Sequence, residues 1–133
     1  KYKANSKKAQ SELDNLTKNI KKDLNDNLRF VVFHDAYQYF ENRIGIKVLG
    51  SLTVNPDVLP GAEQLSEIRE IIEHEKVNCL FSEPQFNPAI IKSIAKDTKI
   101  KTGVLDPLGA TLDKGKDMYV KLIVNMYSSF KGC

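Results

Sequence analysis

The spacing of apolar positions predicts a long amphipathic helix in the first 24 residues. Apolar residues recur there at intervals of 4, 3, 4 and 4, which places them in one narrow stripe on an α-helix. They are Ala9, Leu13, Leu16, Ile20 and Leu24. The segment contains no Gly or Pro and has no clear N-cap, so we expect the helix to begin upstream of Lys1. Such a narrow stripe favours a helix that lies along a surface.

Beyond residue 27 the pattern changes to short apolar strands that alternate with amphipathic helices. The predicted strands cover residues 28–33, 46–52, 77–81 and 100–105. The predicted helices cover residues 36–43, 60–76, 88–96 and 118–130, with loops at Asn55-Pro56, Leu59-Pro60-Gly61 and residues 111–115. This alternation predicts an α/β fold: a four-stranded, mostly parallel sheet with helices on both faces, preceded by the long helix.

A histidine ends the first predicted strand. The apolar run of residues 30–33 stops at His34, and Asp35 follows in a position where it can cap the next helix. The other strands also end in polar residues, which are Ser51, Thr53, Ser82, Glu83 and Asp106. Because parallel strands share one carboxyl edge, and ligands bind at that edge in open α/β sheets, we expect these groups to lie near each other.

An imidazole and two carboxylates at one edge suit a metal site or general acid–base chemistry. The same residues could instead have structural roles. His34 would then be a hydrogen-bonded residue at a strand end, and Glu83-Pro84 and Asp106-Pro107 would begin turns. The sequence contains no nucleophile elbow, P-loop, glycine-rich dinucleotide fingerprint or paired metal-ligand motif. We interpret His74, which follows Glu73 on a predicted helix, as a surface residue.

Composition and charge narrow the class further. The 133 residues are 41% apolar and 28% charged, which is typical of one globular domain. Residues 1–27 hold seven lysines against four acidic residues, which accounts for the whole net charge of +3. No basic patch is interleaved with aromatic residues, so we expect no nucleic-acid partner. The chain begins with Lys1 and not Met, and we expect a processed or truncated chain. Spacing alone leaves open whether Cys79 and Cys133 pair or remain two thiols.

The motifs at the predicted strand ends, taken together, resemble a known family. They are Phe33-His34-Asp35-Ala36-Tyr37-Gln38-Tyr39-Phe40, Gly50-Ser51-Leu52, Pro60-Gly61, Phe81-Ser82-Glu83-Pro84-Gln85-Phe86 and Leu105-Asp106-Pro107-Leu108-Gly109. The chain resembles the C-terminal lobe of ZnuA-like periplasmic zinc-binding proteins, which serve bacterial zinc ABC transporters and belong to a wider cluster of metal-binding lipoproteins and adhesins. By this resemblance, residues 1–27 form the helix that connects two lobes, and residues 28–133 form the C-terminal metal-binding lobe.

The resemblance also implies roles for individual residues. His34 is similar to the metal-binding histidine of the C-terminal lobe. Asp106 is similar to the family's last ligand position, which coordinates the metal directly in some members and stands off in zinc-specific ones. Glu83 is expected behind the metal ligands or in lobe packing. Cys79 and Cys133 resemble the disulfide of the zinc-transporter branch, which implies the oxidising periplasm.

The function implied is the capture of Zn(II) as a transported ligand and its delivery to a membrane permease, without catalysis. We expect a monomer that needs the N-terminal lobe of the same protein, which this chain does not contain. Zinc is favoured because imidazole suits it, whereas manganese-specific relatives carry a carboxylate at the position of His34. The alternatives are a manganese- or iron-binding adhesin of the same fold, and a small flavodoxin-like or hydrolase-type enzyme that uses His34 and Asp106.

Overall fold

The computed structural model describes residues 1–24, 27–55 and 57–133, and these ranges form five helices and four strands. The helices are α1 (Tyr2–Asp23), α2 (Gln38–Ile44), α3 (Ala62–His74), α4 (Ala89–Thr98) and α5 (Met118–Lys131). The strands are β1 (Phe30–His34), β2 (Val48–Thr53), β3 (Cys79–Ser82) and β4 (Lys101–Val104). The predicted boundary near residue 27 and the predicted Asn55-Pro56 loop fall partly on residues 25, 26 and 56, which lie outside the described ranges.

The four strands form one sheet in the order β2-β1-β3-β4, and every neighbouring pair is parallel. The α/β fold and the parallel sheet predicted from the sequence are therefore confirmed. The interior strands β1 and β3 are the buried ones, as expected for strands covered on both faces. Val32 of β1 lies between Ser51 of β2 and Phe81 of β3, so the carboxyl ends of the strands share one edge.

Helices cover both faces of the sheet, and each face has its own apolar core. Alternate residues of β1 point to opposite faces, because side chains along a strand alternate. On the face of α3 and α4, the buried residues are Val31, Phe33, Leu52, Ile68, Ile72, Val77, Leu80, Ile91 and Ile94. On the face of α2 and α5, they are Phe30, Val32, Tyr37, Cys79, Phe81, Leu105, Met126 and Phe130.

The opening helix α1 packs against the body with its second half only. Ile20 is buried and Leu13 and Leu16 are half-buried, whereas residues 1–10 are exposed. An ion pair between Arg43 of α2 and Asp14 fixes the helix near its middle. The apolar stripe predicted from the sequence is therefore the packed face of α1 in the second half of the helix. Within the described ranges, none of the helices combines the length and the apolarity needed to cross a lipid bilayer.

A disulfide joins the last residue to an interior strand. Cys79 of β3 is bonded to Cys133, 54 positions further along the chain, with their Cα atoms 5.8 Å apart. The pairing implied by the family resemblance is therefore present. On the same side, Ser129 Oγ of α5 donates a 2.6 Å hydrogen bond to the carbonyl oxygen of Val104 at the end of β4. The last helix is thus attached to two neighbouring strands.

Candidate metal centre

The strand β1 delivers His34 to the carboxyl edge of the sheet. His34 is paired with Thr53 of β2, and the next backbone N–H, that of Asp35, donates a 3.1 Å hydrogen bond to the carbonyl oxygen of Thr53. The chain then turns away, and α2 begins at Gln38 with Tyr37 at its N-cap. The prediction that Asp35 caps this helix is wrong, because the helix begins two residues later than that role requires. The imidazole is 25% exposed, so it is held by the protein and open to a ligand.

A buried carboxylate lies beside the imidazole. Glu83, directly after β3, is only 6% exposed. Its Oε1 atom is 4.0 Å from Nδ1 of His34 and accepts a 2.9 Å hydrogen bond from the phenolic hydroxyl of Tyr37. Tyr37 is itself buried. A buried carboxylate needs such a partner, because an unpaired polar group in the interior is costly.

The surroundings raise the pKa values of both Glu83 and Tyr37. Burial raises the pKa of the Glu83 carboxyl and nearby Asp106 raises it further, although the hydrogen bond from Tyr37 and the neighbouring His34 act in the opposite direction. Burial, followed by the charge of Glu83, raises the pKa of the Tyr37 phenol far above its ordinary value. The phenol therefore keeps its proton and remains a hydrogen-bond donor over the whole physiological pH range.

The imidazole of His34 also contacts an aromatic pair, Phe86 and Phe33. Phe86 stacks on Phe33 with ring centroids 5.0 Å apart, and it meets His34 edge to face at 6.4 Å. The backbone N–H of Phe86 donates to the carbonyl oxygen of Glu83, so the turn that carries Glu83 also sets this ring. An apolar wall of this kind limits solvent access to the ligand atoms and lowers the local dielectric constant.

The second predicted carboxylate, Asp106, follows β4 and organises the loop behind it. Its Oδ1 accepts hydrogen bonds from the Ala110 N–H at 2.9 Å and from Gln85 Nε2 at 3.3 Å. Its Oδ2 accepts from the N–H and the hydroxyl of Thr111 at 2.9 and 2.8 Å. Burial opposes ionisation, but the hydrogen bonds from Thr111, Ala110 and Gln85 outweigh it, and the pKa of Asp106 lies below its ordinary value.

The structure thus brings the three predicted residues, His34, Glu83 and Asp106, to the same edge of the sheet. Among the described residues, no group of three or more His, Cys, Asp or Glu side chains is arranged to hold a metal ion. Tyr37 was missed by the sequence analysis. The available signal was an aromatic residue with a polar tip just after the strand end, since a buried tyrosine hydroxyl usually has a partner. His74 is exposed on α3, as predicted.

The fold is the α/β fold seen in solute-binding proteins, and the chain superimposes on about half of each of two solved structures. The laminin-binding protein Lbp of Streptococcus pyogenes superimposes with a TM-score of 0.82 at 28% identity, over 98% of this chain and 52% of that one. A Zn(II)-bound variant of AdcAII from Streptococcus pneumoniae superimposes with a TM-score of 0.81 at 26% identity, over 98% of this chain and 48% of that chain.

Sequence similarity then gives the family. The family model described as zinc-uptake complex component A, periplasmic (ZnuA), matches residues 1–133, and the chain belongs to this family. The high-affinity zinc uptake system protein ZnuA of Brucella abortus is 47% identical over 134 residues, which cover 99% of this chain and 40% of that relative. The protein of the same name from Yersinia pestis is 47% identical over 105 residues, which cover 78% of this chain and 33% of that relative. The chain therefore spans less than half the length of these relatives.

Proposed function

We propose that this chain is the C-terminal lobe of a substrate-binding protein that captures Zn(II) and delivers it to a membrane permease. The observation that supports this most directly is the half-buried imidazole of His34 at the carboxyl edge, with the Glu83 carboxylate 4.0 Å from its Nδ1. A metal-binding histidine commonly has a carboxylate or carbonyl beside its second ring nitrogen. The names of the relatives, high-affinity zinc uptake system proteins, support zinc as the metal.

The chemistry of the ligand atoms favours zinc over manganese. Imidazole nitrogen suits zinc, whereas carboxylate and carbonyl oxygens suit manganese. Asp106 is the position from which a carboxylate ligand would come, but its two oxygens already accept four hydrogen bonds from the protein. We therefore propose that Asp106 stands off the metal and contributes negative charge near it, while His34 coordinates.

The site is proposed to be completed by another lobe of the same protein. A tetrahedral zinc site needs four ligands, and a single imidazole with a fully hydrogen-bonded carboxylate leaves most of that shell open. In this proposal the segment 1–27, which contains α1, connects the two lobes. Residues 28–133 form the metal-binding lobe, and the protein acts as a monomer in the periplasm. The disulfide between Cys79 and Cys133 supports an oxidising compartment.

Calorimetric titration of the full-length protein with zinc tests the role of His34. We expect His34→Ala to weaken zinc binding at least about tenfold, or roughly 1.4 kcal/mol. His74→Ala is the matched control, because His74 is the second histidine of the chain and lies exposed on α3. Both variants should unfold at the wild-type temperature. Wild-type affinity in His34→Ala would show that His34 is a structural residue and would refute the proposed site.

A metal series separates zinc capture from its closest alternative. The full-length protein is titrated with Zn(II), Mn(II) and Fe(II) under the same conditions, and we expect the tightest binding for Zn(II). Tighter binding of Mn(II) would identify a manganese carrier of the same fold. Asp106→Ala should weaken zinc binding less than His34→Ala does, because the carboxylate stands off the metal. An equal loss would show direct coordination.

A further inference from the structure

Tyr37 holds a buried hydroxyl at the centre of the candidate site. Its side chain is 2% exposed, and its hydroxyl donates a 2.9 Å hydrogen bond to Oε1 of Glu83. The same oxygen is the one that lies 4.0 Å from Nδ1 of His34. Oε1 of Glu83 therefore lies between the buried hydroxyl of Tyr37 and the partly exposed imidazole of His34.

This arrangement addresses a chemical difficulty of histidine ligands. A neutral imidazole exists in two tautomers, and only the nitrogen without a proton can bind a metal. The contact between Glu83 and Nδ1 is 4.0 Å, longer than a hydrogen bond, so it acts through the charge of the carboxylate. A negative charge beside Nδ1 favours the tautomer with Nδ1 protonated, which leaves Nε2 as the ligand atom. A glutamate side chain has several rotatable bonds, so it serves as a reliable acceptor only if another group fixes it.

We propose that Tyr37 is a positioning residue for metal capture: acting through Glu83, it holds His34 in the Nδ1-protonated tautomer and presents Nε2 to Zn(II). This inference rests on the proposed function. It extends that function to a residue that would not touch the metal. Coordination draws electron density from the ring and makes Nδ1–H a stronger donor, so the contact with Glu83 should shorten when zinc binds.

The other groups around the pair are compatible with this role. Asp106 adds negative charge that acts on both Glu83 and Tyr37, whereas the hydrogen bond from Tyr37, followed by the neighbouring His34, favours the ionised form of Glu83. The ring of Tyr37 also belongs to the core between the sheet and α5, so deletion of the whole side chain would damage folding. Tyr37→Phe removes only the hydroxyl and keeps the ring, and it therefore separates positioning from packing.

The first measurement is zinc affinity in the full-length protein. We expect Tyr37→Phe to lower the affinity about tenfold, which is the low end for partners of metal ligands. Tyr39→Phe is the matched control, because Tyr39 lies two residues away in α2 and is 87% exposed. We expect it to bind as the wild type does. Thermal unfolding of both variants without metal establishes that they are folded.

The second measurement reads the tautomer directly. Nitrogen-15 NMR of the histidine rings at about pH 8.5, above the ordinary imidazole pKa, distinguishes the two neutral tautomers. The His34 signal is identified by its loss in His34→Ala. We expect the wild type to be mainly Nδ1-protonated without zinc, and Tyr37→Phe to shift the ring toward the Nε2-protonated form. Tyr39→Phe should leave the spectrum unchanged. A purely structural role of Tyr37 would not require the tautomer shift in Tyr37→Phe.

The outcomes separate this inference from the function on which it rests. If His34→Ala binds zinc like the wild type, the proposed function fails. If His34→Ala loses binding but Tyr37→Phe keeps both wild-type affinity and the wild-type tautomer, the positioning role is overturned and the function stands. Should Tyr37→Phe prove unstable, Glu83→Gln provides the test with the same two readouts. The inference requires weaker zinc binding and a shift toward the Nε2-protonated ring in that variant also.

Discussion

Thr111 donates two hydrogen bonds to one oxygen of Asp106. The distances to Oδ2 are 2.9 Å from the backbone N–H and 2.8 Å from the hydroxyl. The residue that precedes Thr111 donates a third bond, to the other oxygen. The loop after β4 is therefore wrapped around a single carboxylate. This explains why the pKa of Asp106 lies below its ordinary value although burial acts in the opposite direction.

The low pKa of Asp106 predicts a specific pH dependence of stability. A carboxyl with a folded-state pKa below its unfolded value stabilises the protein above the unfolded pKa, and this contribution is lost as the pH falls through the folded pKa. We expect Asp106→Asn, measured with metal chelated, to cost about 1 kcal/mol at about pH 7, since the site is partly exposed. The difference from wild type should shrink below about pH 4.

Asp113→Asn is the control for this experiment, because Asp113 is exposed in the same loop. We expect its stability to follow the wild type at both ends of the pH range. A cost of Asp106→Asn that stays constant down to about pH 2 would mean that the ionised carboxylate is not what holds the loop.

The disulfide between Cys79 and Cys133 should contribute strongly to stability. It closes a loop across 54 positions, for which the chain-entropy model gives roughly 4 kcal/mol. We expect reduction to lower the free energy of unfolding by about 2–4 kcal/mol in denaturant titrations. The double variant Cys79→Ala/Cys133→Ser should not respond to reductant. The intact mass of the native protein should be two hydrogens lower than its mass after reduction. Two thiols that react with an alkylating agent in the native protein would contradict the bond.

The two faces of α1 should respond differently to substitution. Ile20 is 2% exposed, so Ile20→Ala should cost about 2–5 kcal/mol in the free energy of unfolding. Lys18 is exposed on the same helix, and Lys18→Glu should change stability by no more than about 0.5 kcal/mol. Denaturant titrations of the two variants compare the faces. A loss of several kcal/mol in Lys18→Glu would show that the lysine face is packed.

Gly103 of β4 is a position where only a hydrogen atom fits. A Cβ atom placed there would lie 2.6 Å from Cδ1 of Phe81, a ring buried in the core on the α5 face. We expect Gly103→Ala to cost about 1–3 kcal/mol through overpacking. Gly132→Ala is the control: its backbone is in the ordinary helical region, and its nearest contact would be 3.5 Å. Equal stabilities of the two variants would show that Phe81 moves aside without cost.

The pattern of apolar residues predicted the order and type of the nine elements found in the described ranges, but it placed each strand start one or two residues too early. Leu28, Ile46 and Val77 show the reason. Each of them packs against one of the two cores, yet each precedes the strand it was assigned to. Apolar spacing reports burial, whereas a strand begins where backbone hydrogen bonds to a neighbour begin. The order β2-β1-β3-β4 was not predicted, because alternating strands and helices do not reveal which strands are neighbours.

The candidate site could be predicted as far as it follows from strand ends. His34 and Asp106 come directly after an apolar run, and Glu83 comes one residue after one, so a parallel sheet alone places them at one edge. The hydrogen bond between Tyr37 and Glu83 could not be predicted in this way. The two residues are 46 positions apart, and a bond between two side-chain tips leaves no periodic trace in a sequence.

The bond from Cys133 to β3 also determines how the chain would respond to mechanical force. Tension applied at residues 1 and 133 would enter β3 through the two sulfur atoms and would bypass α4, β4 and α5, which lie inside the closed loop. The stretched chain could therefore extend only over residues 1–79, or about 270 Å at full extension. The last two-fifths of the chain, inside the closed loop, would bear no load while the bond is intact. A force-spectroscopy trace would therefore show the extension of this segment only after a reductant is added.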